Sequence, residues 1–142
     1  MSAGLQYMGS CHCGRVKATF RTSLDAPQVR ACQCGFCCRH GAKTATDTDG
    51  FVEIHADGPL KRYRFGLLTA DYLLCPECGT YIGSSIEADH ILRMTLNVAG
   101  LRMAPLAELE ATPVDYSDET LHERLERRRL RWTPSRLVEA GG

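Results

Sequence analysis

Apolar and polar residues alternate through much of the first hundred positions, which is the period of half-buried strands rather than of helices. Val16, Ala18 and Phe20 alternate with Arg15, Lys17 and Thr19. Phe51-Val52-Glu53-Ile54 follows an Asp49-Gly50 turn signal, and Tyr63 to Phe65, Tyr72 to Leu74 and Tyr81-Ile82 are short pieces of the same kind. From His90 to Val98 the alternation returns, with Met94, Leu96 and Val98 on one face. Strands at this spacing predict a mainly β, antiparallel fold rather than alternating βαβ units. One helix is predicted, near residues 118–130. Ser117 or Asp118 caps it, acids fill its first turn and arginines its last, Leu121 and Leu125 stand i,i+4 apart, and Glu123 can pair with Arg127. Thr133-Pro134 then ends it. The pattern divides the chain into a β domain, 1–112, and a C-terminal extension, 113–142.

Charge narrows the function classes. Seventeen basic side chains balance seventeen acidic ones, which removes the long-range attraction expected of a nucleic-acid or anionic-membrane binder. No apolar run approaches the roughly 18 residues of a membrane span. The first residues, MSAGLQYMGSCHCG, lack the basic and apolar regions of a secretory signal, so a cytoplasmic location is expected. The neutral total conceals a gradient. Residues 1–45 carry six basic side chains and one acidic, 46–119 five and thirteen, 120–142 six and three. A basic first third can draw in a small anion, or the segments can neutralise one another in the fold. The acids interleaved with the arginines of the helix make it a solvated face rather than a nucleic-acid contact. Exposed β edges allow a homodimer, although no residue specifies one.

Eight cysteines in 142 residues fall short of the roughly 8–10% of a small disulfide scaffold, and in a reducing cytosol they point to metal or to chemistry. Their spacing is specific. Cys75-Pro76-Glu77-Cys78-Gly79 is a two-ligand turn in which proline stiffens the backbone and glycine lets it fold beneath an ion. C-x-x-C also serves disulfide exchange, but that chemistry places the first cysteine at a helix start, and strand-like residues flank this motif. Tetrahedral zinc needs two more ligands, and Cys11 and Cys13, also followed by a glycine, are the natural complement. The central run Cys32-Gln33-Cys34-Gly35-Phe36-Cys37-Cys38 offers three convergent thiolates, Cys32, Cys34 and Cys37. Three protein ligands with an open fourth position is the arrangement of a catalytic zinc. Adjacent side chains diverge, so Cys38 is expected to pack as a small buried hydrophobe. His40 is a rival fourth ligand, a proton shuttle, or neither, and His12 is expected to point away from the first metal.

The three clusters, with Gly9-Ser10 before the first, Arg39-His40-Gly41-Ala42 after the second and Thr80 after the third, resemble the glutathione-dependent formaldehyde-activating enzymes. That family includes centromere protein V and shares a zinc-bearing β fold with a Rab-exchange-factor-like chaperone. The resemblance spans roughly residues 8–100. It implies a structural zinc on Cys11, Cys13, Cys75 and Cys78, a catalytic zinc on Cys32, Cys34 and Cys37, and S-(hydroxymethyl)glutathione synthase activity of the carbon–sulfur lyase class. Zinc with three thiolates is a weak Lewis acid but can hold an incoming thiol as thiolate. Glutathione or a similar small thiol would then meet formaldehyde or another small aldehyde, with Arg39, Lys43 and Arg15 as candidate contacts for the glutathione carboxylates. The alternatives are a non-catalytic zinc module for protein interaction and a redox or metal-responsive thiol protein.

Overall fold

Alternation in residues 16–22 becomes strand β2 (Val16–Thr22), with Val16, Ala18 and Phe20 buried and Lys17 and Arg21 exposed. The computed structural model describes residues 5–24 and 27–140. β2 lies between β1 (Leu5–Ser10) and β5 (Phe51–Ala56), antiparallel to both. A second group is built from β3 (Val29–Cys32), β4 (Thr44–Ala45), β6 (Lys61–Tyr63), β7 (Asp71–Leu74), β8 (Tyr81–Ala88) and β9 (Ile91–Asn97). β6, β7, β8 and β9 pair antiparallel in that order, and β4 joins β9 to β3. Both groups send side chains to one apolar core, in which Phe20, Val52 and Ile54 meet Leu73, Ile82, Met94 and Leu96. The mainly β expectation holds, and among the described residues no helix is long and apolar enough to cross a membrane.

Several local expectations change. β8 runs for eight residues, because Gly83-Ser84-Ser85 is buried strand rather than turn. A Cβ on Gly83 would stand 2.5 Å from the Thr95 carbonyl oxygen, so glycine is what lets β8 and β9 approach. His90 starts no strand. Asp89 and His90 both have positive φ, forming the two-residue turn that joins β8 to β9. Phe65 lies beyond the end of β6 and stacks against Phe36 instead.

The C-terminal segment is where tertiary structure departs most from the pattern. It supplies β10 (Thr112–Val114), α2 (Leu121–Arg131) and β11 (Thr133–Glu139). β10 adds in parallel to β3, setting Val114 opposite Cys32. Residues 133–139, assigned above to an extension, lie inside the sheet: β11 runs parallel to β5 and pairs at its start with β9. Thr133-Pro134 therefore ends the helix by beginning a strand. The helix cap is Thr120, in a reciprocal capping box with Glu123, rather than Ser117 or Asp118. Glu123 is thus committed to the cap, and Arg127 pairs with Glu119 at 2.7 Å. Leu121 and Leu125 face solvent, while the buried residue of α2 is Arg128.

A single buried amide locks the turn after β9. Asn97 Oδ1 accepts from the backbone N–H groups of Lys43 (3.2 Å) and Gly100 (3.3 Å), and its Nδ2 donates to the Tyr81 carbonyl at 2.9 Å. Replacing Asn97 by alanine strands all three groups where water is excluded. The expected loss is about 1–3 kcal/mol, read from denaturant midpoints at unchanged slope.

Candidate metal centres and the cavity beside them

Two turns build the first centre. Cys11 and Cys13 lie between β1 and β2, Cys75 and Cys78 between β7 and β8. In each, a glycine with positive φ follows the second cysteine (Gly14 at 84°, Gly79 at 77°) and its N–H bonds back to the first cysteine's carbonyl. Any other residue there would be strained, because the turn holds the left-handed region that L-residues avoid. The turns bring all four sulfurs within 4.8 Å of one another, with Cys13 Sγ 3.6 Å from both Cys11 Sγ and Cys75 Sγ. Ligands ~2.3 Å from a tetrahedral zinc stand ~3.8 Å apart, so the donor set and its spacing fit that ion. The thiols already share protons unevenly. Partial desolvation opposes ionisation of Cys78, but hydrogen bonds from the Thr80 hydroxyl and N–H outweigh it and bring its pKa down to about 5. The Arg15 N–H favours the Cys13 thiolate, yet desolvation and the neighbouring thiols push it up to about 12. His12 is exposed, as expected of a residue between two ligands.

The second centre combines a strand end and a one-turn helix. Cys32 closes β3, Cys34 is the N-cap of α1 (Gly35–Arg39), and Cys37 lies within it. Their sulfurs also lie within 4.8 Å of one another. The Cys34 sulfur accepts the Cys37 N–H at 3.3 Å, so the residue that caps the helix also faces the other two thiols. Hydrogen bonds from the Cys32 and Cys37 thiols hold the Cys34 pKa far below the usual thiol range, and the Cys37 and Phe36 N–H groups add to this. The same contacts push Cys37 strongly upward. Three clustered thiolates suit a soft divalent cation and leave one tetrahedral position for something else.

The flanking residues fall differently from expectation. Cys38 is exposed, not buried, because α1 turns Cys37 inward and its neighbour outward. His40 is exposed, and its ring packs on Phe36 at 4.4 Å, outside the three-sulfur group. Phe36 also contacts Phe65, Tyr72 and Tyr81, an aromatic cluster that holds α1 against the sheet.

A cavity of 510 Å³ opens beside this centre, reaching Cys32 and Cys37. None of Arg39, Lys43 and Arg15 lines it. Arg39 bonds the Gly35 carbonyl of its own helix, Lys43 donates to the Ala107 and Leu109 carbonyls, and Arg15 pairs with Asp57. The cations on the wall are instead Arg30 of β3 and Arg127, Arg128 and Arg131 of α2. Tyr72, Tyr81 and Trp132 complete the apolar side. Sequence reasoning missed this arginine set because an arginine-rich helix with interleaved acids reads as solvated. The one signal was the chain's single tryptophan directly after Arg131, the last arginine of the helix.

Fold and site together define a mainly β protein carrying two cysteine clusters able to hold metal, one of them facing a cavity. Comparison with protein-family models finds no match, and comparison with curated proteins finds none either. Among solved structures, the crystal structure of a Rhodobacter sphaeroides protein determined by structural genomics is 30% identical. It covers 75% of this chain and 99% of its own length, with a TM-score of 0.59. The chain belongs to the same family as that protein.

Proposed function

We propose that the protein is a zinc-dependent enzyme of the carbon–sulfur lyase class, adding a glutathione-like thiol to formaldehyde or another small aldehyde. The supporting observation is that the three-cysteine cluster, with no fourth protein ligand among the described residues, faces a cavity whose charged side chains among those residues are all arginines. A zinc ion on Cys32, Cys34 and Cys37 would keep an incoming thiol in its reactive, thiolate form. In the overall reaction the sulfur–carbon bond forms as the carbonyl π pair moves to oxygen. That oxygen takes up the proton the thiol gave away. Tyr81 and Ser84 set two hydroxyls in the same cavity, hydrogen-bonded at 2.5 Å. Burial raises the Tyr81 pKa well above its ordinary value, so the phenol stays a neutral donor for a developing alkoxide. Tyr72 and Trp132 add aromatic surface to the same cavity.

Thiols add to aldehydes unaided, so the test is a rate against background. Metal-replete protein should accelerate adduct formation saturably for at least one pair among several thiols and aldehydes. No acceleration by protein carrying two metals per chain would overturn the reading, and resistance of both metals to chelation would then favour a zinc-stabilised interaction module. A redox reading has one observation in its favour: Cys34, not Cys75, is the cysteine that opens a helix. A Cys34–Cys37 disulfide in place of the second metal would support it.

A further inference from the structure

Five arginines lie on α2, and they divide by partner. Arg124 and Arg127 pair with Glu119, and Arg129 pairs with Glu126. Arg128 and Arg131 have no carboxylate partner among the described residues, and both line the cavity. Arg128 is the more telling, being only 5% exposed. Its Nη1 donates to the Thr69 hydroxyl at 2.6 Å and its guanidinium lies over the Trp132 ring at 4.8 Å. Its Nε is buried without a hydrogen-bond partner. Arg30, on β3, also lines the cavity; it donates to the Thr46 hydroxyl and likewise lacks an acid among the described residues. No aspartate or glutamate among the described residues lines the space.

A guanidinium taken out of water without a counter-ion is costly, and several facing one cavity repel one another as well. Burial works against the charge on Arg128, and neighbouring arginines add to it. Such an arrangement is relieved by an anion in the cavity, and guanidinium matches carboxylate in a two-pronged geometry. The volume, 510 Å³, lies within the range of small-ligand pockets.

We infer that Arg128, with Arg30 and Arg131, forms a carboxylate-binding subsite at the α2 side of the cavity, selecting thiols that carry a carboxylate remote from the sulfur. The thiol part of this inference rests on the function proposed above, while the carboxylate part does not. The three arginines are specificity-determining residues: they hold the far end of the ligand while its sulfur lies toward Cys32 and Cys37. The subsite depends on the C-terminal segment, since β10 fixes one end of that segment beside Cys32 and β11 anchors the other.

The experiment is calorimetric titration of the full-length, metal-replete protein with S-methylglutathione, whose capped sulfur makes binding independent of any thiol reaction. Its diethyl ester and inorganic phosphate are the comparison probes. S-methylglutathione should bind, the ester about tenfold or more weakly, and phosphate should not displace it. Arg128→Met should weaken binding about 30-fold or more. Since Arg128 is buried, Arg131→Gln is the second variant: Arg131 is exposed, and its substitution should cost about threefold or more. Equal binding of acid and ester, or wild-type binding by Arg131→Gln, would overturn the subsite. Tight phosphate binding that excludes S-methylglutathione would overturn the carboxylate assignment. Binding that behaves as expected in a protein that accelerates no adduct formation sinks the enzyme reading alone. Acceleration with an unchanged acid-to-ester KM ratio in Arg131→Gln sinks the subsite alone.

Discussion

Cys75→Ser is expected to lose one metal ion per chain and to unfold far below the wild-type temperature. Cys75 and Cys11 are buried among the core side chains, and their cluster joins the β1–β2 turn to the β7–β8 turn across more than sixty residues of chain. Each turn is a glycine-reversed loop rather than a paired strand, and besides the sulfurs a hydrogen bond from the His12 N–H to the Thr80 hydroxyl at 3.3 Å links them. A structural zinc is worth about 10–16 kcal/mol, comparable to the whole stability of a domain. Serine offers a hard, protonated oxygen in place of a thiolate and would forfeit much of that. A loss of about 5 kcal/mol or more lowers Tm by about 10–20 °C in a chain of this size. Thermal melts paired with metal analysis check this. A Cys75→Ser protein that melts with wild type and keeps its metal would remove the ligand assignment.

Cys34→Ser should behave in the opposite way, keeping the fold and losing the chemistry. Cys34 caps α1 by accepting the Cys37 N–H, and serine is among the best residues for that task. The substitution therefore preserves the helix start while removing one of the three clustered sulfurs. The first centre shares no residue with the second and should be untouched. The expected protein melts within a few degrees of wild type, carries one metal instead of two, and forms the thiol–aldehyde adduct at the uncatalysed rate. Wild-type acceleration by this variant would exclude the mechanism. Loss of folding would show that the second centre is structural too.

These two substitutions separate cysteines that spacing alone could already sort. C-P-x-C-G, C-x-C-G and C-x-C-x-x-C are local motifs: the ligand geometry is set within four or five residues, so it is legible before the fold is known. Which turns meet was also legible, because a two-ligand turn needs another. The alternating strands β2, β5 and β9 were readable for a similar reason, since apolar side chains repeat on the face turned to the core and polar ones on the other. β8 was not, because both its faces are buried and its glycine and serines carry no alternation. β11 was not either. Its Thr133, Pro134 and Ser135 look like a loop until β5 and β9 supply partners on both sides.

The arginines show the limit most clearly. Hydrophobic periodicity places Leu121 and Leu125 inside and the arginines outside, yet Arg128 is buried and both leucines face water. A guanidinium on a long apolar stem can be buried over an aromatic ring, and its environment depends on side chains distant in sequence, here Thr69 and Trp132. The same limit displaced the expected cations. Arg39, Lys43 and Arg15 are near the clusters along the chain, but each is bound elsewhere.

By itself the sequence determined a mainly β chain with eight cysteines, four of them grouped for a closed metal site and three for an open one. Those properties depend on neighbours a few residues apart. Tertiary structure alone decided that Cys38 faces outward, that residues 133–139 complete the sheet, and that the open cluster faces a cavity walled by Arg30, Arg128 and Arg131. The physical reason is that an ion's ligands can be specified by a turn, whereas a cavity and its charge exist only where distant segments pack together.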